Sequence, residues 1–255
     1  MLLAIDLGNT QTHLGLFRDG ELIEHWRLAT VRETTADELA TLLVDLLALR
    51  ELRLGAIEAA ILSSVVPALT PEYQRLADRY LAGEFTVVGP GLSTGMAIRI
   101  ENPHELGTDR LVNAVAAYEK CGGPCVVADF GTTINFDAVS GRGEYLGGVI
   151  APGVDISLDA LHQRTAKLPK VELSAPRQAI GRNTIDSVRS GVVYGFAGSV
   201  DGIVSRVREE LGDEATAIAT GGLAHAIVPF CDQIDEVDDL LTLDGLRLIW
   251  ERNSG

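Results

Sequence analysis

The sequence is poor in positive charge. Lysine and arginine number 21 against 36 aspartates and glutamates, a formal net charge of −15. A protein that grips nucleic acid by its phosphates needs a basic face, and none is visible, so no nucleic-acid partner is expected. No apolar run approaches the ~18 residues of a membrane-spanning helix, so no membrane partner is expected either. The first residues hold no basic segment followed by an apolar stretch and a cleavage site. Met1 to Ile5 run straight into Asp6, which does not read as a signal peptide. Only three cysteines occur, and Cys121 and Cys125 stand four apart. That is not the two-residue gap of a metal knuckle, and the set reads as reduced thiols in a cytoplasmic protein. The phosphate-loop signature Gly-x-x-x-x-Gly-Lys-Ser/Thr is missing, and no dinucleotide fingerprint follows the first strand.

What is present suits a folded protein of two small domains. The chain has 255 residues, of which 46% are hydrophobic, enough to pack a core in each. Acidity does not bar nucleotide binding, which works through local backbone N–H groups and metal ions. Leu2–Asp6 predicts an apolar strand, Asn9–Gly15 a turn leading to a second strand through Leu16 and Phe17, and Leu22–Leu28 a third after the Asp19-Gly20 hairpin signal. Thr35-Ala-Asp-Glu38 reads as a helix start, with Leu39, Leu42, Leu43, Leu46 and Leu47 at helical spacing. A strand at Ala59–Ser63, a helix from about Pro71 to Leu81 and a strand at Phe85–Val88 follow. Strands first, then alternating helices, imply a mixed sheet with helices packed on it.

The second half opens the same way. Val126–Asp129 is an apolar strand ending in Asp-Phe-Gly-Thr-Thr133, Asn135–Val139 continues it, and Glu144–Ile150 returns after a turn at Ser140–Gly143. Asp6, Gly8, Thr10, Gly20 and Glu21 match Asp129, Gly131, Thr133, Gly143 and Glu144 without a gap, each pair 123 positions apart. One Asp-x-Gly-x-Thr alone is an ordinary strand-to-turn junction. Two in register imply two copies of one sheet unit with a cleft between them.

Such a hairpin can hold phosphate. Glycine lets backbone N–H groups approach phosphate oxygens, and Asn9, Thr10 and Thr12 add side-chain donors. Asp6 cannot touch a phosphate directly; its sensible role is to hold Mg²⁺, directly or through water. Ala217-Ile-Ala-Thr-Gly-Gly222 is either a third nucleotide element, where a flat ring lies on bare backbone, or a plain strand-to-helix turn.

Two phosphate-facing hairpins, a cleft and a late Gly-Gly turn resemble the actin, hexokinase and Hsp70 superfamily. Asp6-Leu-Gly-Asn-Thr10, Asn102-Pro, Gly107-Thr-Asp-Arg110, Asp129-Phe-Gly-Thr132, Gly147-Gly-Val-Ile-Ala-Pro-Gly153 and Gly181-Arg-Asn-Thr184 resemble, in order and spacing, the motifs of type III pantothenate kinases. The resemblance runs from the first residues to about Gly222. It implies an α/β fold of duplicated ribonuclease-H-like (actin-like ATPase) domains, mixed sheets flanked by helices around a central cleft. The expected domains are 1–115 and 116–255. It implies γ-phosphoryl transfer from ATP to pantothenate, giving 4'-phosphopantothenate for coenzyme A synthesis, in a cytoplasmic homodimer whose pantothenate pocket lies near the dimer interface.

The resemblance also assigns residues. Asp6, Leu7, Gly8, Asn9, Thr10, Gln11, Thr12, His13 and Thr132 would contact ATP. Ile100, Gly107, Thr108, Asp109, Arg110 and Thr184 would contact pantothenate. Asp109 would take the proton from its primary hydroxyl and Arg110 would pair with its carboxylate. Asp129 would hold a monovalent cation, K⁺ or NH₄⁺, beside the Mg²⁺ of ATP. Without the resemblance, Thr108 or Asp109 reads as a helix cap, with Val112, Val115 and Ala116 as the buried face, and Thr184 reads as another cap. The sequence departs from the family pattern in three places. Gly131-Thr-Thr-Ile-Asn135 replaces the usual Gly-Thr-Ala-Thr-Thr, Ile100 replaces a common Tyr, and Thr108 replaces a common Ala. His13 reads equally as a strand-exposed side chain, and His162, Trp26 and Trp250 as packing or surface residues. Asp232–Asp239 reads as a solvated acidic stretch. Two other readings stay open: a nucleotide-binding regulator without catalysis, and a related kinase for another small carboxylate.

Overall fold

A computed structural model describes residues 1–212 and 214–254. Contacts divide the chain into two compact units: Met1–Gly95, Glu105–Ala116 and the chain from Thr242 onward form one, and Met96–His104 with Ala117–Leu241 form the other.

The first unit is built on a five-stranded sheet. β1 (Leu2–Leu7), β2 (Gln11–Arg18) and β3 (Glu21–Ala29) form an antiparallel meander. After α1 (Ala36–Ala48), β4 (Ala59–Ser64) lies parallel to β1; after α2 (Thr70–Tyr80), β5 (Glu84–Val87) lies parallel to β4. The order is β3-β2-β1-β4-β5. β1 is central and covered on both faces, which is why its sequence is a continuous apolar run. β3 at the edge alternates exposed and half-buried residues. Thr35 caps α1 in a capping box, its hydroxyl accepting the Glu38 N–H and the Glu38 carboxylate accepting the Thr35 N–H at 2.8 Å. Leu39, Leu43 and Leu47 then face the core.

In the second unit, β6 (Ala97–Ile98) pairs at one edge, and α3 (Thr108–Cys121) contributes its last residues. β7 (Cys125–Phe130), β8 (Thr133–Val139) and β9 (Glu144–Pro152) form a second antiparallel meander. α4 (Val154–Gln163) and the 28-residue α5 (Thr184–Leu211) precede β10 (Thr216–Thr220), α6 (Ala224–Ile227) and β11 (Glu236–Val237). The order is β11-β10-β7-β8-β9-β6. Without β6 it repeats the first sheet strand for strand, with β10 and β11 parallel to β7 as β4 and β5 are to β1.

The duplication is gapless in sequence but not in register. Asp6 faces His13, whereas Asp129 faces Asn135, one residue nearer along the chain than a uniform offset gives. The first turn closes by the Gly8 N–H donating to Gln11 O, the second by the Gly131 N–H donating to Thr133 O. The turn after β7 is therefore one residue shorter than the turn after β1. The next turn compensates, two residues at Asp19-Gly20 against three at Gly141–Gly143, and both meanders carry a bulge just before it.

The last helix, α7 (Leu241–Asn253), packs from Thr242 onward in the first unit. Leu243, Leu246 and Ile249 are fully buried, and Gly245 rides on the Val112 carbonyl so closely that a Cβ would collide with it. The units thus interleave along the chain, unlike the consecutive domains 1–115 and 116–255 expected from sequence. Residues 232–239 are also more than a solvated acidic stretch: Asp235 pairs with Arg208, Asp238 and Glu236 with Lys120, and Asp239 with His225.

Candidate active site

Asp6 stands near the end of β1, in register with His13 on β2 and Ser63 on β4. The turn that follows exposes Asn9, Thr10 and Gln11. A residue absent from the sequence reading braces it. Thr30, just past β3, donates its backbone N–H to Thr10 O at 2.9 Å and its hydroxyl to Gly8 O at 2.8 Å. The Thr12 hydroxyl lies 3.0 Å from that of Thr30, and the Tyr73 phenol also bonds it. Thr12 is only 2% exposed. This corrects the expectation of Thr12 as a side-chain phosphate donor: its hydroxyl is spent inside the fold. Leu7 is wholly buried and packs in the core. Arg32 donates to Asn9 Oδ1 at 3.4 Å, bringing a guanidinium to the turn. His13 Nε2 lies 3.1 Å from His25 Nδ1, so His13 is paired across the strands rather than merely exposed.

Gly107, Thr108, Asp109 and Arg110 open α3, all half-buried. The Asp109 carboxylate accepts the Arg110 N–H at 2.8 Å. Burial pushes the Asp109 carboxyl above the usual aspartate range, opposed by that N–H and by the Arg110 charge. A Cβ on Gly107 would stand 2.5 Å from Asp109 Oδ1 and press on that carboxylate. Thr108 does not cap its own helix. Its hydroxyl lies 3.0 Å from Ser63 Oγ and accepts the Ser64 N–H at 3.2 Å. Within this unit Ser63 thus links the Asp6 register to Thr108, the residue before Asp109. Ser63 and Ser64 were missed in sequence, where Ser63 read only as the end of a buried strand and Ser64 lay beyond it.

In the second unit Asp129 is the next-to-last residue of β7, in register with Asn135 and Thr220. Gly221, in the left-handed region at φ 94°, lies against it: a Cβ there would sit 2.5 Å from Asp129 Oδ1 and 2.7 Å from the Phe130 backbone. The Gly-Gly turn after β10 thus belongs to the Asp129 site. Thr132 is exposed at the turn, and the Thr133 hydroxyl donates to Asn135 Oδ1 at 3.1 Å. Gly153 closes the turn from behind, where any Cβ would overlap the Thr132 carbonyl. Gly153 stands 123 positions after Thr30, so one unit braces the turn after its first strand with a hydroxyl and the other with bare backbone. Ile100 packs by Gly147, 3.5 Å from where its Cβ would be. Thr184 is the exposed first residue of α5, and the cap there is Asn183, whose side chain accepts the Asp186 N–H at 2.9 Å. Thr184 lines a cavity of about 670 Å³ with Leu161, Leu168, Arg182, Val188 and Val192; no residue of the Asp129 turn lines it.

The family profile of type III pantothenate kinases matches residues 2–206. The chain belongs to the type III pantothenate kinase family. A type III pantothenate kinase of Moorella thermoacetica is 51% identical over 254 residues, covering 100% of both chains. One of Koribacter versatilis is 49% identical over 263 residues, covering 99% of this chain and 96% of its own. Among solved structures, a Baf family protein from Campylobacter jejuni superposes with a TM-score of 0.62 at 19% identity, covering 99% of this chain and 98% of that one. That likeness concerns the fold alone.

The chain's three departures from the family pattern lie in three structural settings, Ile100 being the one that packs by Gly147. Thr133, Ile134 and Asn135 begin β8, where Ile134 is buried in the core and Asn135 faces Asp129. Thr108 is the departure with the most polar partners, bonding both Ser63 and Ser64.

Proposed function

We propose that this chain transfers the γ-phosphoryl group of ATP to the primary hydroxyl of pantothenate, giving 4'-phosphopantothenate, the first step toward coenzyme A. The observation that carries the reading is the opening turn of α3. A carboxylate with raised proton affinity, held by a backbone N–H, adjoins an arginine and a glycine that leaves room for it. That is what a general base for an alcohol needs, with a guanidinium to pair a carboxylate substrate. Transfer is direct and in-line, without a covalent enzyme intermediate.

Asn9, Thr10 and Gln11, exposed on the first turn, and Thr132 on the second contact ATP, with Gly8 and His13 supporting the first. Asp6 suits Mg²⁺, which takes one or two carboxylates and fills its shell with water and phosphate oxygens. Asp129 suits a monovalent cation: its carboxylate lies in a cradle that a side chain at position 221 would fill. These cations would offset phosphate charge beside two carboxylates. Gly107, Thr108, Arg110, Ile100 and Thr184 bound the pantothenate site. A homodimer is supported by exposed apolar side chains on the second unit, among them Leu146, Val149, Ile150, Ile156, Ile180 and Ile185. No helix among the described residues is long and apolar enough to cross a membrane; the cytoplasmic location is proposed from the family resemblance.

The test is a coupled ADP-release assay with pantothenate, run in potassium and then in sodium. Phosphorylation is expected in potassium or ammonium, with little in sodium alone. Equal rates in both salts would remove the cation from the proposal. No phosphorylation under any cation would favour a non-catalytic regulator.

A further inference from the structure

We infer that Thr108 is a positioning residue for Asp109, tying the first turn of α3 to the end of β4 through Ser63 and Ser64. The inference rests on the reading of Asp109 as the base.

α3 opens without a side-chain cap from Thr108, because that hydroxyl points elsewhere. It lies 3.0 Å from Ser63 Oγ, accepts the Ser64 N–H at 3.2 Å and donates to Ser64 O at 3.3 Å. Ser63 is fully buried, and Thr108 is its hydroxyl's hydrogen-bond partner. A buried hydroxyl is costly to strand, so this contact has a defined geometry. Ser64 is fixed in turn, its Oγ accepting from the Thr70 hydroxyl at 2.9 Å and from the Val66 N–H at 3.2 Å. Ser63 is also in register with Asp6 on β1. One strand end therefore sets the height of both the Asp6 turn and the residue just before the base. The family pattern commonly has Ala at position 108, which could not make these bonds. In this chain the helix start is fastened by a polar clamp, and small errors in placing a base are expensive in rate.

The test is a double-mutant cycle on the full-length enzyme with steady-state kinetics and melting curves. Thr108→Val keeps the shape and loses the hydroxyl. It is expected to lower kcat on the order of 10-fold while leaving the KM for ATP within about twofold. Thr108→Ser, which keeps the hydroxyl, is expected to restore most of the loss. Ser63→Ala should lower kcat in the same sense, and the double variant should be no worse than Thr108→Val alone. If Thr108→Val lowers only the melting temperature, or if the two substitutions multiply, the clamp is structural and the inference fails. If Thr108→Val does not fold, parental kcat in Ser63→Ala overturns it. A parental rate in Asp109→Asn would instead show that the base assignment is wrong, and the inference would fall with it.

Discussion

A primary hydroxyl is far too weak an acid to lose its proton unaided at neutral pH, and the proposed function makes the Asp109 carboxylate its acceptor. Asp109→Asn keeps the shape and removes that basicity; turnover should fall roughly 10²–10⁴-fold in steady-state assays. The raised proton affinity of Asp109 has two further signs. The base must be ionised to work, so kcat/KM should decline on the acid side with a midpoint above the ~3.9 of a free aspartate. For stability, a carboxyl raised in the fold favours its neutral form. Its contribution is full below the unfolded pKa and lost as pH rises through the folded one. Asp109→Asn should therefore melt at the same or a higher temperature than the parent at neutral pH, the difference shrinking toward acid pH. A variant that melts well below the parent at neutral pH would contradict the burial of this charge. Arg110→Ala should raise the KM for pantothenate far more than that for ATP, because a bound carboxylate loses its bidentate partner. The sequence marks Asp6, Asp109 and Asp129 locally, at strand ends and a helix start, but the base and cation roles of Asp109 and Asp129 came only from the family resemblance; without it Asp109 reads as a helix cap. Ser63, Thr30 and Gly153 carry no such mark, since their tasks come from neighbours 45, 22 and 21 residues away: Thr108, Gly8 and Thr132.

The turns after β1 and β7, which the proposed function gives the same task, are held by different braces. In the first, Thr30 holds Gly8 and Thr10; Thr30→Val removes the hydroxyl and leaves the N–H bond to Thr10. The KM for ATP should rise several-fold with little change in that for pantothenate, and equal values would show that the hydroxyl is dispensable. In the second turn Gly153 lies against the Thr132 carbonyl. Gly153→Ala should push the Gly131–Thr132 turn outward and cost activity more than a cavity-neutral surface change would. Parental KM for ATP and parental melting would show that the backbone yields freely there. The repeat was visible in sequence as a constant offset of 123, but the one-residue difference between the turns was not. Two opposite changes of loop length cancel in the alignment, and only strand pairing separates them.

For the whole molecule, a homodimer of about 54 kDa is expected from a 27.2 kDa chain with twofold symmetry. Light scattering that found a stable, fully active monomer would refute it. Removing the chain from Thr242 onward takes Leu243, Leu246 and Ile249 from the first unit's interior. The remaining chain should lose cooperative melting and become aggregation-prone, as expected when large buried side chains are withdrawn. A sharp parental melting transition in that truncated chain would show that α7 is dispensable for the fold.

By itself the sequence determined the class of fold, the duplication and the identity of the charged groups. Apolar strands, paired Asp-x-Gly-x-Thr turns and the Gly-Thr-Asp-Arg helix start are local patterns, written in residues that touch one another along the chain. Only the tertiary structure decided that Thr12 is buried and not free to donate, and that Thr108 bonds β4 and not its own helix. It also showed that α7 belongs with the first unit. Each of these turns on which polar group meets which partner after burial, and a buried hydroxyl or an unpaired helix face is satisfied by whatever the fold brings near.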